Sequence, residues 1–242
     1  MTEILAAVID TETTGIDEPQ VVEFAAAPVT AAKGPTFTMG ETSVLRFKPT
    51  KPIALGAMAT HHIVPADLDD CPPPPERYDL PKFMIGHNAD FDWQAVGSPE
   101  DVRRIDTMWL ARMAWPDLDS HSLGALTYHL YPHTEARELL KNAHSAAADI
   151  ALCFHVFCCA LLTIQAPEPL TSWGAIWRLS EAARVPIRMA FGKHKGVLIA
   201  DLPRDYVDWM MRPEQPGGPP KADAYLIQAF RNAGLLPQEN AA

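Results

Sequence analysis

Apolar residues run without a break through Ile4-Leu5-Ala6-Ala7-Val8-Ile9, the pattern of a strand buried on both faces. A turn follows over 15–19, and Val21-Val22-Glu23-Phe24-Ala25 predicts a second strand. Residues 43–47 predict a third strand and Phe83-Met84-Ile85-Gly86 a fourth. Helical spacing then takes over at 108–115, 122–131 and 146–165. Strands first, then strands and helices in alternation, predict an α/β fold with a mixed sheet flanked by helices. Beyond the segment Ala166-Pro167-Glu168-Pro169, helical patterns recur at 173–184, 204–211 and 222–232 around a glycine-containing, hairpin-like piece. These predict a small C-terminal α+β module with Trp173, Trp177, Tyr206 and Trp209 as its core.

The longest apolar stretch, 150–164, spans about 15 residues and carries His155. A membrane crossing needs about 20, so a buried helix is expected and no membrane partner. The first residues have no basic start, and their apolar run stops at Asp10, unlike a signal peptide. With 48% hydrophobic residues in 242, the chain can bury a substantial core. Its net charge of −10 excludes a generic polycation that coats nucleic acid. That charge is uneven, at −12 over 1–169 and +2 over 170–242. The sign change beside the proline-rich segment predicts a core domain at 1–165, a linker at 166–172 and an accessory module at 173–242. A chain ending near Ala166 is then expected to keep its catalytic function. Cys71, Cys153, Cys158 and Cys159 have no zinc-ligand spacing and read as reduced thiols of a cytoplasmic protein.

The candidate chemistry begins at Asp10-Thr11-Glu12, directly after the first strand. In extended chain, carboxylates two residues apart point to the same side. At about 4 Å they repel by ~1 kcal/mol in water and ~4 kcal/mol at an effective dielectric of about 20. Either a cation neutralises them or they are exposed acids on a turn. Two further segments bear on that choice. His87-Asn88-Ala89-Asp90-Phe91-Asp92 follows another apolar strand and opens a helical pattern. His144 precedes Asp149 by five residues at the start of the long apolar helix, placing the His at the helix mouth and the Asp just over one turn inward.

In order and spacing, Asp10-Thr11-Glu12-Thr13-Thr14-Gly15, His87-Asn88-Ala89-x-Phe91-Asp92 and His144-x4-Asp149 resemble the three exonuclease motifs of the DnaQ-like superfamily, DEDDh branch. Outside the motifs, 52–61, Trp109-Leu110-Ala111-Arg112 and Phe191-Gly192-Lys193-x-Lys195-Gly196 resemble the bacterial exodeoxyribonuclease X group. The resemblance implies an RNase H-like fold and a 3′–5′ exonuclease releasing nucleoside 5′-monophosphates. It makes Asp10, Glu12, Asp92 and Asp149 ligands of two Mg²⁺ ions, with Mn²⁺ as a substitute, and His144 the general base. The family pattern takes Asp92, after the aromatic residue, rather than Asp90, which is left as a charge at a helix N-terminus. It also places His61 near the terminal base of the substrate.

Hard oxygen ligands suit Mg²⁺ or Mn²⁺ better than zinc, and a neutral His at pH 7–8 can accept a proton from water. Thr13 and Thr14 could hold the terminal nucleotide or serve only as turn residues. Asn88 could orient the second motif or touch substrate. Asp106 is expected to cap the helix at 108–115. The implied partner is DNA, single-stranded 3′ ends above all, with RNA as the alternative. The competing class is an inert nucleic-acid or polymerase-associated binding module, disfavoured because all five motif residues are present.

Overall fold

The structure is a computed structural model that describes residues 4–31, 36–142, 145–166, 169–215 and 217–238. The chain divides into two compact units, 1–180 and 181–242. In the first, β1 (Ala6–Thr13) lies at the centre of a mixed sheet. It pairs antiparallel with β2 (Val21–Ala31) and parallel with β5 (Phe83–Gly86), which in turn pairs parallel with β6 (Arg103–Asp106). β3 (Phe37–Met39) and β4 (Ser43–Arg46) both add to β2. The helices are α1 (Leu55–His61), α2 (Ala89–Ala95), α3 (Thr107–Ala114), α4 (Leu123–Leu130), α5 (His133–Leu139) and α6 (Ala146–Thr163). α7 (Trp173–Arg184) straddles the division between the units. This is the mixed, helix-flanked sheet that the sequence predicts.

Both faces of β1 are covered, which explains its unbroken apolar run. Ala6 and Val8 share a core with Ile150, Cys153 and Phe157 of α6, while Ala7 and Ile9 pack with Phe24, Met84 and Val96. Each such large side chain contributes about 1.5–3 kcal/mol by leaving water. The apolar helix expected near 150–164 is α6, and its inward residues are part of this core. All four cysteines are free thiols, and burial holds the Cys153 thiol far above the usual range.

The structure alters three expectations. β1 does not end at Ile9 but continues through Thr13, so Asp10 and Glu12 lie within a central strand, opposite Ala25 and Glu23. The expected four-aromatic core of the tail is not formed. Trp173 lies 5.6 Å from Phe37 and 6.3 Å from both Phe83 and Phe157 by ring centroids, and Trp177 stacks under Arg103, all within the first unit. Finally, β6 escapes the hydrophobic pattern because two of its four residues are arginines, whose guanidinium groups lie over Trp177 and Trp93.

The second unit contains α8 (Arg204–Met210) and α9 (Ala224–Asn232). Among its described residues, two isolated bridges form, Arg188 with Leu198 and Pro213 with Pro220. Met189, Ile199, Leu202, Tyr206, Val207, Met210, Leu226 and Phe230 form its own core. Arg184 is almost fully buried here, paired with Glu181 at 3.5 Å, and the Tyr225 hydroxyl donates to the same Glu181 at 3.0 Å.

Candidate active site

The alternation that buries Ala6 and Val8 against α6 brings Asp10 and Glu12 out on the same side of β1. Asp149 stands in the first turn of α6. Carboxylate oxygens of Asp10, Glu12 and Asp149 all lie within 4.8 Å of one another, and all three residues are half-buried. Ser145 caps this helix, its hydroxyl accepting from the Ala148 N–H at 3.4 Å. The small Ala146 is fully buried, as close packing of the helix end requires.

Asp92 enters from α2. Its Oδ1 accepts from both the backbone N–H of Thr11 at 2.9 Å and the Thr11 hydroxyl at 2.7 Å. The residue between the two strand acids thus fixes the acid of the second motif. Asp92 is almost fully buried, whereas Asp90 is partly exposed and paired with Arg104 at 2.6 Å. The geometry therefore gives the two acids of this motif different surroundings.

The electrostatics of the four acids are those of crowded, desolvated anions. Burial first, then Asp92, Asp149, Glu12 and Glu23, holds the Asp10 carboxyl well above its usual range. Glu12 is pushed up to about 8 by burial, with Asp149, Glu23 and Asp92 adding repulsion. Asp92 is raised to about 7, burial outweighing the two Thr11 hydrogen bonds that pull it down. Without a cation the site therefore retains protons near neutrality. Clustered hard oxygens with this surplus of negative charge are a donor set suited to Mg²⁺ or Mn²⁺.

Two acids that the sequence did not mark as catalytic hold the frame. Glu23 faces Glu12 across the β1–β2 pair and is almost fully buried. Its Oε2 receives Arg46 Nε at 2.7 Å, and its Oε1 accepts the Ala146 N–H at 3.2 Å, fastening the start of α6 to the sheet. A lone acid inside the apolar run Val21–Ala25 was the available signal. Asp106, fully buried, accepts from the backbone N–H groups of Asn88 (3.1 Å), Ala89 (3.1 Å) and Met108 (3.0 Å). It thus caps α3 as expected and also ties down the entry to α2. Its own N–H donates to Ser180 Oγ at 2.8 Å.

The remaining expected residues fall into supporting positions. Asn88 takes a left-handed backbone (φ 64°) at the start of α2. At Gly86, two residues earlier, a Cβ would crowd that of Ala89 at 3.0 Å, so β5 and α2 pack closely there. His87 is neutral, its ring bonded to Thr107 Oγ1 (2.9 Å) and the His121 carbonyl (3.0 Å), and burial pushes it down to about 4. The Thr13 hydroxyl donates to the Gly15 carbonyl at 2.9 Å, and that of Thr14 accepts from the Gln20 N–H at 3.1 Å, so both serve the turn. His61 is held by the protein through both ring nitrogens. It is buried, with Nε2 on the Thr13 carbonyl at 3.2 Å and Nδ1 accepting from the Ile63 N–H at 3.0 Å. Both ring nitrogens are used inside the protein, so any contact with a terminal base would be made by the ring's carbon edge or face. His144 lies outside the described residues.

Two strand carboxylates facing a helix-borne carboxylate on a mixed sheet define an acidic, cation-type site. The comparisons with known proteins then give the family. A family model described as "Exonuclease" (RNase_T) matches residues 7–157, and the chain belongs to that family. Residues 179–226 match a second model, described as "Putative quorum-sensing-regulated virulence factor". The "DNA polymerase III subunit epsilon-like protein" of Rhodobacter capsulatus is 28% identical over 188 residues, which is 70% of this chain and 25% of that protein. The chain thus spans about a quarter of the length of that relative. Among solved structures, exonuclease X with 5′-overhanging duplex DNA aligns over 71% of this chain and 99% of that one, at 23% identity and a TM-score of 0.49. The zinc-bound complex of E. coli exonuclease I with single-stranded DNA aligns over 69% of this chain and 42% of that one, at 19% identity and a TM-score of 0.50. This last match shows the shared fold.

Proposed function

We propose that the chain is a metal-dependent 3′–5′ exonuclease that hydrolyses DNA to nucleoside 5′-monophosphates. The observation that carries this reading is the meeting of Asp10, Glu12 and Asp149 within 4.8 Å, inside the segment matched by the exonuclease family. These three, with Asp92 anchored beside them by Thr11, would hold two divalent cations. When bound, the cations supply Lewis-acid neutralisation of phosphate charge. The chain's own residues do the rest. Thr11 orients Asp92, Glu23 holds the helix carrying Asp149, and Asp106 fixes the entry to α2. His144, by its spacing from Asp149, would take the proton of the attacking water at a ring nitrogen. His144→Ala is then expected to lower kcat by about 10²–10⁴ while leaving cation affinity intact.

DNA rather than RNA is supported by the resemblance of the sequence to the exodeoxyribonuclease X group and by the name of the Rhodobacter capsulatus relative. The test is digestion of 5′-labelled and 3′-labelled DNA and RNA strands with Mg²⁺ or with EDTA. A ladder shortening one nucleotide at a time from the 3′ end of DNA, absent in EDTA, is the expected result. Long internal fragments would rule out the exonuclease reading, and an RNA-only ladder would replace its substrate.

A further inference from the structure

We propose that the second unit carries a grip for single-stranded DNA, formed by Phe191, Lys193, Lys195 and Trp209. The proposal rests on the DNA reading of the first unit and adds to it a separate binding surface. The segment between the bridged residues Arg188 and Leu198 folds back on itself. Met189 N–H donates to the Val197 carbonyl at 2.8 Å, Gly196 N–H to Met189 at 2.8 Å, and Lys195 N–H to Gly192 at 3.1 Å. Gly192 and Gly196 adopt φ of 71° and 85°, conformations that side chains disfavour. At Gly192 a Cβ would also come within 3.2 Å of the Tyr206 hydroxyl. The Arg188 guanidinium closes the loop from outside by donating to the Gly196 carbonyl at 3.0 Å.

This stiff turn sorts its side chains. His194 turns inward and packs edge-on against Tyr206, ring centroids 4.4 Å apart. Lys193 and Lys195, on either side of it, are exposed and make no ion pair with any described residue. Tyr206 in turn stacks on Trp209 at 5.6 Å, and Lys221 Nζ lies 5.0 Å from the Trp209 ring. Trp209 is 46% exposed and Phe191 52%. Two large aromatic side chains left in water, Trp209 beside Lys221 and Phe191 two positions before Lys193, match a polyanion whose bases can stack. The neighbouring acids, Asp205 and Asp208, temper the charge. Asp208 is paired with Arg204 at 3.5 Å, and Asp205 Oδ1 accepts the Tyr206 N–H at 2.9 Å. Binding is therefore set by stacking and a few phosphate contacts rather than by a large positive field.

The test uses the full chain in Ca²⁺ in place of Mg²⁺, to suppress turnover, with fluorescent oligo-dT strands of about 20 and about four nucleotides. Lys193→Ser/Lys195→Ser and Trp209→Leu are each expected to weaken binding of the longer strand about tenfold. The lysine variant should also flatten the slope of log Kd against log salt by roughly 1–2. The melting temperature of the lysine variant, and kcat/KM of both variants on the short strand in Mg²⁺, should stay as in the wild type. Unchanged affinity and slope in both variants overturn the grip, as does a wild type that binds both lengths equally. Equal loss on short and long strands also overturns it, because the defect then belongs to the first unit. A wild type that cleaves no DNA would refute the reading of the first unit, whereas the salt slope would still decide the grip.

Discussion

Glu23 Oε1 accepts the backbone N–H of Ala146 at 3.2 Å, joining β2 to the first residue of α6 across 123 positions of sequence. The same carboxylate pairs with Arg46 through its other oxygen. Glu23→Ala leaves the Ala146 N–H without its acceptor and is expected to cost on the order of 1–3 kcal/mol, read by urea unfolding. Glu23→Gln keeps an acceptor and should cost less. Both should lower kcat more than they raise KM, because Asp149 moves with the helix start. Equal effects of the two variants would show that the charge, and not the tether, matters.

Thr11 places Asp92 through two hydrogen bonds, one of them from its hydroxyl at 2.7 Å. Thr11→Val removes that bond, preserves the side-chain shape, and should reduce activity about tenfold for a stability loss of about 1 kcal/mol. Asp92→Ala should abolish activity. Asp90→Ala loses a partly exposed pair with Arg104, worth about 0–1 kcal/mol, and should stay active. An inactive Asp90→Ala beside an active Asp92→Ala would reverse the assignment.

Raised carboxylate pKa values make the metal-free fold weaker as pH rises. Between their unfolded values and about 7 for Asp92 or about 8 for Glu12, the native state binds more protons than the unfolded chain. Unfolding free energy then falls with pH, by up to about 1.4 kcal/mol per pH unit for each retained proton. His87 acts oppositely. Its value of about 4 means that the unfolded chain binds the extra proton, so stability rises with pH up to about 6.5. The acids are therefore seen alone between about pH 6.5 and 8. Melting in EDTA should fall across that window, and Mg²⁺ should remove the fall. Asp10→Ala in EDTA should melt no lower than wild type, because it relieves repulsion.

The position of α7 changes what truncation should do. A chain ending near Ala166 loses Trp173 from among Phe37, Phe83 and Phe157, and Ser180 from the Asp106 N–H. Removing one buried aromatic typically costs about 3–5 kcal/mol, so this chain should not melt cooperatively. A chain ending at Arg184 keeps both contacts and should fold and cleave short oligonucleotides. Circular dichroism melts of the two truncations make the comparison.

The first strand could be read from local pattern, and alternation puts Asp10 and Glu12 on one side wherever the strand is extended, whereas Asp92 and Asp149 are joined to them by the resemblance to the exonuclease motifs. Contacts between distant segments could not be read in this way. Thr11 looks like a spacer between two acids until its partner, 81 residues away, is in place. Trp173 and Trp177 follow a proline-rich segment and a change of charge, yet pack back onto the first unit. Composition marks where a linker can lie, but it does not show which core a later helix joins. For His61, the resemblance points to the substrate's terminal base, and no local pattern shows that both ring nitrogens also hold the turn after β1.

In the proposed enzyme, Asp10, Glu12 and Asp149 form a cation centre. Calorimetric titration of Mn²⁺ at pH 7, in buffers of different ionisation enthalpy, tests it most directly. Because Glu12 and Asp92 hold protons near neutrality without a cation, binding should release protons, giving a heat that varies with the buffer. An Asp10→Ala/Glu12→Ala variant should lose both the binding and the release. Binding by that variant as tight as by the wild type, or no binding by the wild type, would contradict the claim.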